Sequence, residues 1–187
     1  MKRIVLSFLL LINLSHGFAK EVAGISLPES IQREGDSVQL VLNGAGVREK
    51  FFFDIYIAAL YLEQKSDQSS VIVKNSGSAR VEMRMLYSEV EREKLIQGWN
   101  DGFKANHSQQ EMNQLGERLE HFNSLFETLY KGDLVELDFF PGRGTRVRIK
   151  GDEKATIPGD DFFQGLLKIW IGSDPVTKSL KRDMLGQ

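Results

Sequence analysis

Cysteine is missing from all 187 residues. Its absence excludes a disulfide framework, a thiolate nucleophile, Cys-ligated zinc and an iron–sulfur cluster. An excess of positive charge is also missing. Lys and Arg number 24 against 26 Asp and Glu, a formal net charge of −2, so no basic field is available to hold a nucleic-acid backbone. No apolar run reaches the ~20 residues that span a bilayer, and no linker or repeat divides the chain, so one domain is expected. Histidine is scarce. Apart from His16 there are only His107 and His121, fourteen apart without a Glu-x-x-His partner, so no metal site and no cofactor are expected. A Gly-x-Ser-x-Gly elbow is absent, and Gly142-Arg143-Gly144-Thr145 lacks the Lys-Ser/Thr of a phosphate-binding loop.

What is present begins with Met1-Lys2-Arg3 and the apolar stretch Ile4 to Leu14, followed by small residues at Gly17 and Ala19. This is the pattern of a secretory signal cut after Ala19. Residues 1–19 are therefore expected to be a signal peptide and 20–187 the folded domain, exported and, in a Gram-negative host, periplasmic. Losing two cations and no anion would take the net charge to −4.

Val38 to Leu42 and Phe51 to Leu62 are rich in β-branched and aromatic residues and predict a hairpin with its turn just after Arg48. Between them, Asn43-Gly44-Ala45-Gly46 predicts a bulge or a close backbone approach. Ala79 to Tyr87 alternates like a half-buried strand. Ser88/Glu91 and Ser108/Glu111 both read as capping boxes, opening helices that turn Leu95, Trp99 and Phe103, then Leu115, Leu119, Phe122 and Phe126, inward. Asp133 to Phe140 and Gly144 to Lys150 form a second hairpin, and Lys154 to Ile157 a further strand. Asp160 caps a helix stopped by Gly172, and Asp174-Pro175 starts a last helix ending at Gly186. Hairpins with intervening helices predict an α+β fold with an antiparallel sheet covered on one side.

One constellation stands out. Alternation gives Arg48, Asp54 and Tyr56 one parity, and a hairpin folded after Arg48 would bring Arg48 alongside the start of the second strand, so that guanidinium and phenol could converge on one ligand group. A permanent guanidinium and a phenol can clasp a carboxylate, a phenolate or an enolate. From the pattern alone, an Arg paired with Asp54 or Glu49 on a solvated face is the readier reading.

The run NGAGVREKFFFDIYIAALYLE, Asn43 to Glu63, resembles the signature of the chalcone isomerase superfamily. Further pieces resemble its bacterial, secreted branch: Glu93-Lys94-Leu95 with Trp99 and Gly102-Phe103, Lys131-Gly132-Asp133, Pro141-Gly142-x-Gly144-Thr145, Ile157-Pro158-Gly159-x-x-Phe162, and Ile169-Trp170-Ile171-Gly172. The resemblance implies an open-faced β-sandwich, a large antiparallel sheet covered by a helical layer. It puts Arg48 where the isomerases steady an anionic oxygen and fatty-acid-binding relatives hold a carboxylate. Tyr56 falls where the isomerases have a threonine and the binders a tyrosine. Of the isomerases' Tyr, Lys and Asn, Glu93 and Ile96 replace the first two and Asn100 retains the amide. The expectation is a small hydrophobic carboxylate, a fatty acid or related lipid, bound without turnover by Arg48, Tyr56, Trp99 and Phe103. Phe52, Leu60, Leu95, Phe122 and Phe126 are the further apolar side chains available for its wall. Two alternatives stay open: an intramolecular lyase of chalcone type, with Arg48 and Asn100 catalytic and a phenolic ligand, or a protein-interaction module with a filled pocket.

Overall fold

Alternating strands and two long amphipathic helices dominate the computed structural model, which describes residues 19–74 and 77–187. The signal segment expected over residues 1–19 lies outside the described residues except for Ala19. In chain order the elements are β1 (Ala19–Val22), β2 (Ile25–Pro28), β3 (Ser30–Gln32), β4 (Gln39–Lys50), β5 (Phe53–Leu62), α1 (Ser69–Lys74), β6 (Ala79–Met85) and β7 (Glu89–Val90). There follow α2 (Arg92–Asn106), α3 (Gln109–Ser124), β8 (Leu129–Tyr130), β9 (Leu134–Phe140), β10 (Gly144–Ile149), β11 (Asp152–Ile157), α4 (Asp160–Ile171) and α5 (Lys178–Met184). Seven strands make one antiparallel sheet in the order β11-β10-β9-β6-β5-β4-β3. The fold is α+β, a large antiparallel sheet packed by helices.

The period of two decides which residues meet the helices. Tyr56, Ala58, Leu60 and Leu62 of β5, Val81 and Met83 of β6, and Leu137 and Phe139 of β9 pack under α2, α3 and α4. On the opposite face Ile57, Ala59 and Tyr61 meet Leu40, Leu42 and Leu27, the last from the small β1–β2 hairpin. Further along that face apolar packing gives way to ions. Arg80 holds Asp138 through two bonds of 2.6 and 2.9 Å and reaches Glu136 at 2.6 Å, while Arg146 donates to the same Asp138 at 3.0 Å. Arg33 closes the cluster by donating to the carbonyls of Ala79 and Phe139 and to Asp36. Buried charge is tolerated there because each group has a hydrogen-bonded counter-ion.

Several boundaries depart from the sequence reading. The β4–β5 turn falls at Phe51-Phe52, not after Arg48. Ser88 forms no capping box: its carbonyl accepts from Lys131 N at 3.2 Å beside the β7–β8 pair, and α2 begins after Glu91 without a side-chain cap. The Ser108/Glu111 box is complete. Asp160 is the first residue of α4 rather than its cap, which is Gly159. The last helix is capped by Thr177, not by Asp174, whose backbone is taken by the Asn106 side chain at 2.7 and 3.0 Å.

Candidate functional site

Arg48 owes its orientation to a defect in β4. If alternation ran unbroken from Leu40 and Leu42, every even residue to Arg48 would share their face, away from the helices. The pairing with β5 instead slips between Leu42 and Gly44, leaving Asn43 as the extra residue. A bulge of this kind re-aims everything beyond it. Ala45 and Val47 now pack with Leu40 and Leu42, so Gly44, Gly46 and Arg48 turn toward the helices. Asn43 pins the bulge by donating to Met184 O and accepting from Ser66 N, both at 2.8 Å. Gly44 and Gly46 are then the seat of α5. A Cβ on Gly44 would lie 2.1 Å from Asp183 O, and one on Gly46 2.3 Å from the Asp183 carboxylate. The glycines serve close approach, and neither needs a left-handed backbone.

Arg48 stands directly across the ladder from Tyr56, its Cζ 5.5 Å from the ring centre. A second slip follows between Arg48 and Glu49, so Glu49 pairs with Asp54. Among the described residues Arg48 has no carboxylate within ion-pair distance, and its Nε is buried without an acceptor. The open choice between a paired surface arginine and a free cation is decided for the free cation.

Tyr56 is 4% exposed. Its hydroxyl accepts from Trp170 Nε1 at 3.0 Å, which leaves its own proton to donate. Burial pushes the phenol above its ordinary pKa, only partly opposed by Arg48 and by the Trp170 hydrogen bond, so the group remains a neutral donor. Trp170 meets Trp99 edge-on, with centroids 5.8 Å apart, and the buried Trp99 indole N–H finds no acceptor among the described residues.

These groups border a cleft of about 680 Å³, within the range of pockets that enclose small ligands. Ile55, Met83, Leu95, Trp99, Ile169 and Val176 supply apolar lining. Exposed Lys50, Lys94, Glu89, Glu91, Asp101 and Asp174 make a mixed-charge rim. Gly102 lets α2 cross close to α4, since a Cβ there would stand 2.9 Å from Ile169. The result is an apolar-walled slot with the Arg48 cation paired across the ladder with the Tyr56 phenol, the donor pattern for an amphipathic oxyanion.

Of the residues expected here, Arg48, Tyr56, Trp99 and Leu95 share the cleft. Phe103 does not. It is fully buried, stacked on His107 at 5.1 Å and packed on Phe162 at 5.6 Å, and so belongs to the core. Leu60, Phe122 and Phe126 are core as well, while Phe52 is 99% exposed at a turn. Asn100 is absent from the cleft lining and accepts from Asn123 at 2.8 Å, tying α2 to α3. Glu93 and Ile96 do not line it either. Period alone signals an inward stripe without separating core from wall. Missed from sequence were Tyr87, Lys94 and Trp170. Tyr87 continues the parity of Val81, Met83 and Met85 and was legible; the Trp170 bond spans 114 residues and carried no local signal. Among the described residues no three His, Asp or Glu are grouped to hold a metal, and no helix is long and apolar enough to cross a membrane.

Comparison with known proteins gives matches of two kinds, to a family profile and to solved structures. A family profile described as chalcone isomerase-like matches residues 19–186. The crystal structure of a fatty-acid binding protein from Arabidopsis thaliana superposes with a TM-score of 0.65 at 20% identity, covering 87% of this chain and 92% of that one. A search among curated proteins returns no match.

Proposed function

We propose that this chain, which belongs to the chalcone isomerase-like family, binds a small amphipathic anion, a fatty acid or related lipid carboxylate, and does not turn it over. The observation that carries the reading is the half-buried Arg48, without a counter-ion among the described residues, facing the buried Tyr56 phenol at an apolar cleft. A cation left unpaired at such a place is compensated when a carboxylate arrives. The fold likeness to a fatty-acid binding protein supports the same ligand class. A dozen methylenes leaving water contribute ~0.8 kcal/mol each, roughly 10 kcal/mol before the costs of association, so the tail drives affinity and the polar pair sets direction. The isomerase alternative gains nothing from Glu93, Ile96 and Asn100, which stay off the cleft, and the open volume stands against a filled pocket. Export to the periplasm, with a cut after Ala19, belongs to the same proposal and rests on residues 1–19 alone.

Native mass spectrometry of the purified protein, followed by lipid extraction, tests the binding. The expected result is a carboxylated acyl lipid at up to one equivalent, depleted in Arg48→Met. Wild type that neither carries nor takes up an acyl carboxylate from added fatty acid overturns the reading.

A further inference from the structure

The β4–β5 turn carries three consecutive phenylalanines in the open. Phe51 is 83% exposed, Phe52 99% and Phe53 54%. Neither solubility nor turn chemistry selects them. Tight hairpins favour Gly, Asn or Asp, above all where φ is positive, and Phe51 holds φ at +58°. A bulky residue in that region is an outlier whose retention calls for a use.

We propose that this aromatic tip inserts into the interfacial region of a lipid bilayer, setting the mouth of the cleft against the lipid surface. Three features favour a bilayer over another occupant. The tip is contiguous with the cleft, because Phe53 packs edge-on against Tyr87 at 5.5 Å, and Tyr87, Lys50 and Arg48 all line it. The tip is narrow. At about 200 Å² per ring its exposed fraction amounts to roughly 500 Å², below the ~800 Å² per partner of a stable protein interface. A projecting wedge of aromatic rings also suits the boundary between headgroups and acyl chains, where such side chains gain burial without needing a shaped partner. The rim carries acids as well as lysines, so insertion draws on the rings and does not require anionic lipid. That the ligand enters from the bilayer rests on the acyl-carboxylate reading above; the insertion stands apart from it.

The absence of cysteine makes the test local. Phe52→Cys in the full chain, labelled with an environment-sensitive nitrobenzoxadiazole, is mixed with phosphatidylcholine vesicles, and Glu153→Cys, exposed on the edge strand β11, is the control. The expected result is that the label at 52 is shielded from aqueous iodide and quenched by bromine on the acyl chains, while the label at 153 is not. Adding Phe51→Asn, which suits the positive φ and preserves the turn, raises the half-saturating lipid concentration roughly tenfold or more. Arg48→Met leaves shielding at 52 intact while weakening fatty-acid binding, so the two proposals fail separately. The inference is overturned if the label at 52 stays open to iodide in the presence of vesicles. Shielding that appears without lipid and grows with protein concentration also overturns it, because the tip then joins copies of the chain.

Discussion

Exchanging Arg48 for methionine removes the charge while keeping an unbranched apolar stem. The guanidinium has no counter-ion to abandon among the described residues and its buried Nε lacks an acceptor, so the exchange should cost the ligand-free protein no more than about 0.5 kcal/mol. Binding should change much more. Truncating one side of a fully buried charge pair costs about 2–5 kcal/mol, and Arg48 is only half-buried. The lower part of that range applies after screening, about 2–3 kcal/mol, or ~30- to 150-fold in Kd. A matched ligand isolates the headgroup contribution. The fatty alcohol of equal chain length keeps the tail and loses the charge, so Arg48→Met should weaken it less than about threefold. Titration calorimetry on the four protein–ligand combinations gives the coupling directly. An acid affinity within about twofold of wild type, or equal losses for acid and alcohol, would refute the reasoning. The first result removes Arg48 from the contact; the second assigns the loss to a distorted cleft.

Tyr56→Phe deletes both a donor to the ligand and the acceptor of the Trp170 N–H. The unpaired indole should cost about 1–3 kcal/mol of stability in urea unfolding, and acid affinity should fall roughly tenfold. Gly44→Ala drives a methyl into the backbone of Asp183 and Met184, forcing α5 off β4 at a cost of about 1–3 kcal/mol by thermal or chemical denaturation. The third concerns pH. Donation from the Ser108 backbone N–H, then from its hydroxyl, with Lys168 nearby, holds the Glu111 carboxyl down to about 2 against an ordinary 4.5. A depressed acid pKa stabilises above the unfolded value, so this contribution is complete above pH 4.5 and is lost as pH falls toward 2. Carboxyl NMR should find the low midpoint in wild type and an upward shift in Ser108→Ala.

The sheet was legible because alternation at Ala79 to Tyr87 and across the Pro141 hairpin is a local signal, and so were the stripes of α2, α3 and α4. Asn43 to Gly46 announced a bulge or a close approach, and the chain uses it for both. That the bulge rotates Arg48 toward the helices required knowing that α5 lies on Gly44, a contact about 140 residues away along the sequence. The turn was misplaced because Phe51-Phe52 scores as strand by propensity while its rings sit in solvent. Trp99 and Phe103 share one helical stripe, yet one borders the cleft and the other fills the core. Their difference depends on where α4 crosses α2. Ser88 and Asp174 look like caps, but tertiary partners claimed their backbones first.

The most direct test follows the ligand's own carboxyl carbon by NMR, using a carbon-13-labelled fatty acid bound to the protein and titrated with acid. Beside a guanidinium and a phenol donor its pKa should lie below that of the free acid, and Arg48→Met should raise it above the free value, as desolvation alone would. A bound carboxyl that titrates at or above the free value in wild type, indifferent to Arg48, would mean that the acid sits elsewhere or does not meet the cation.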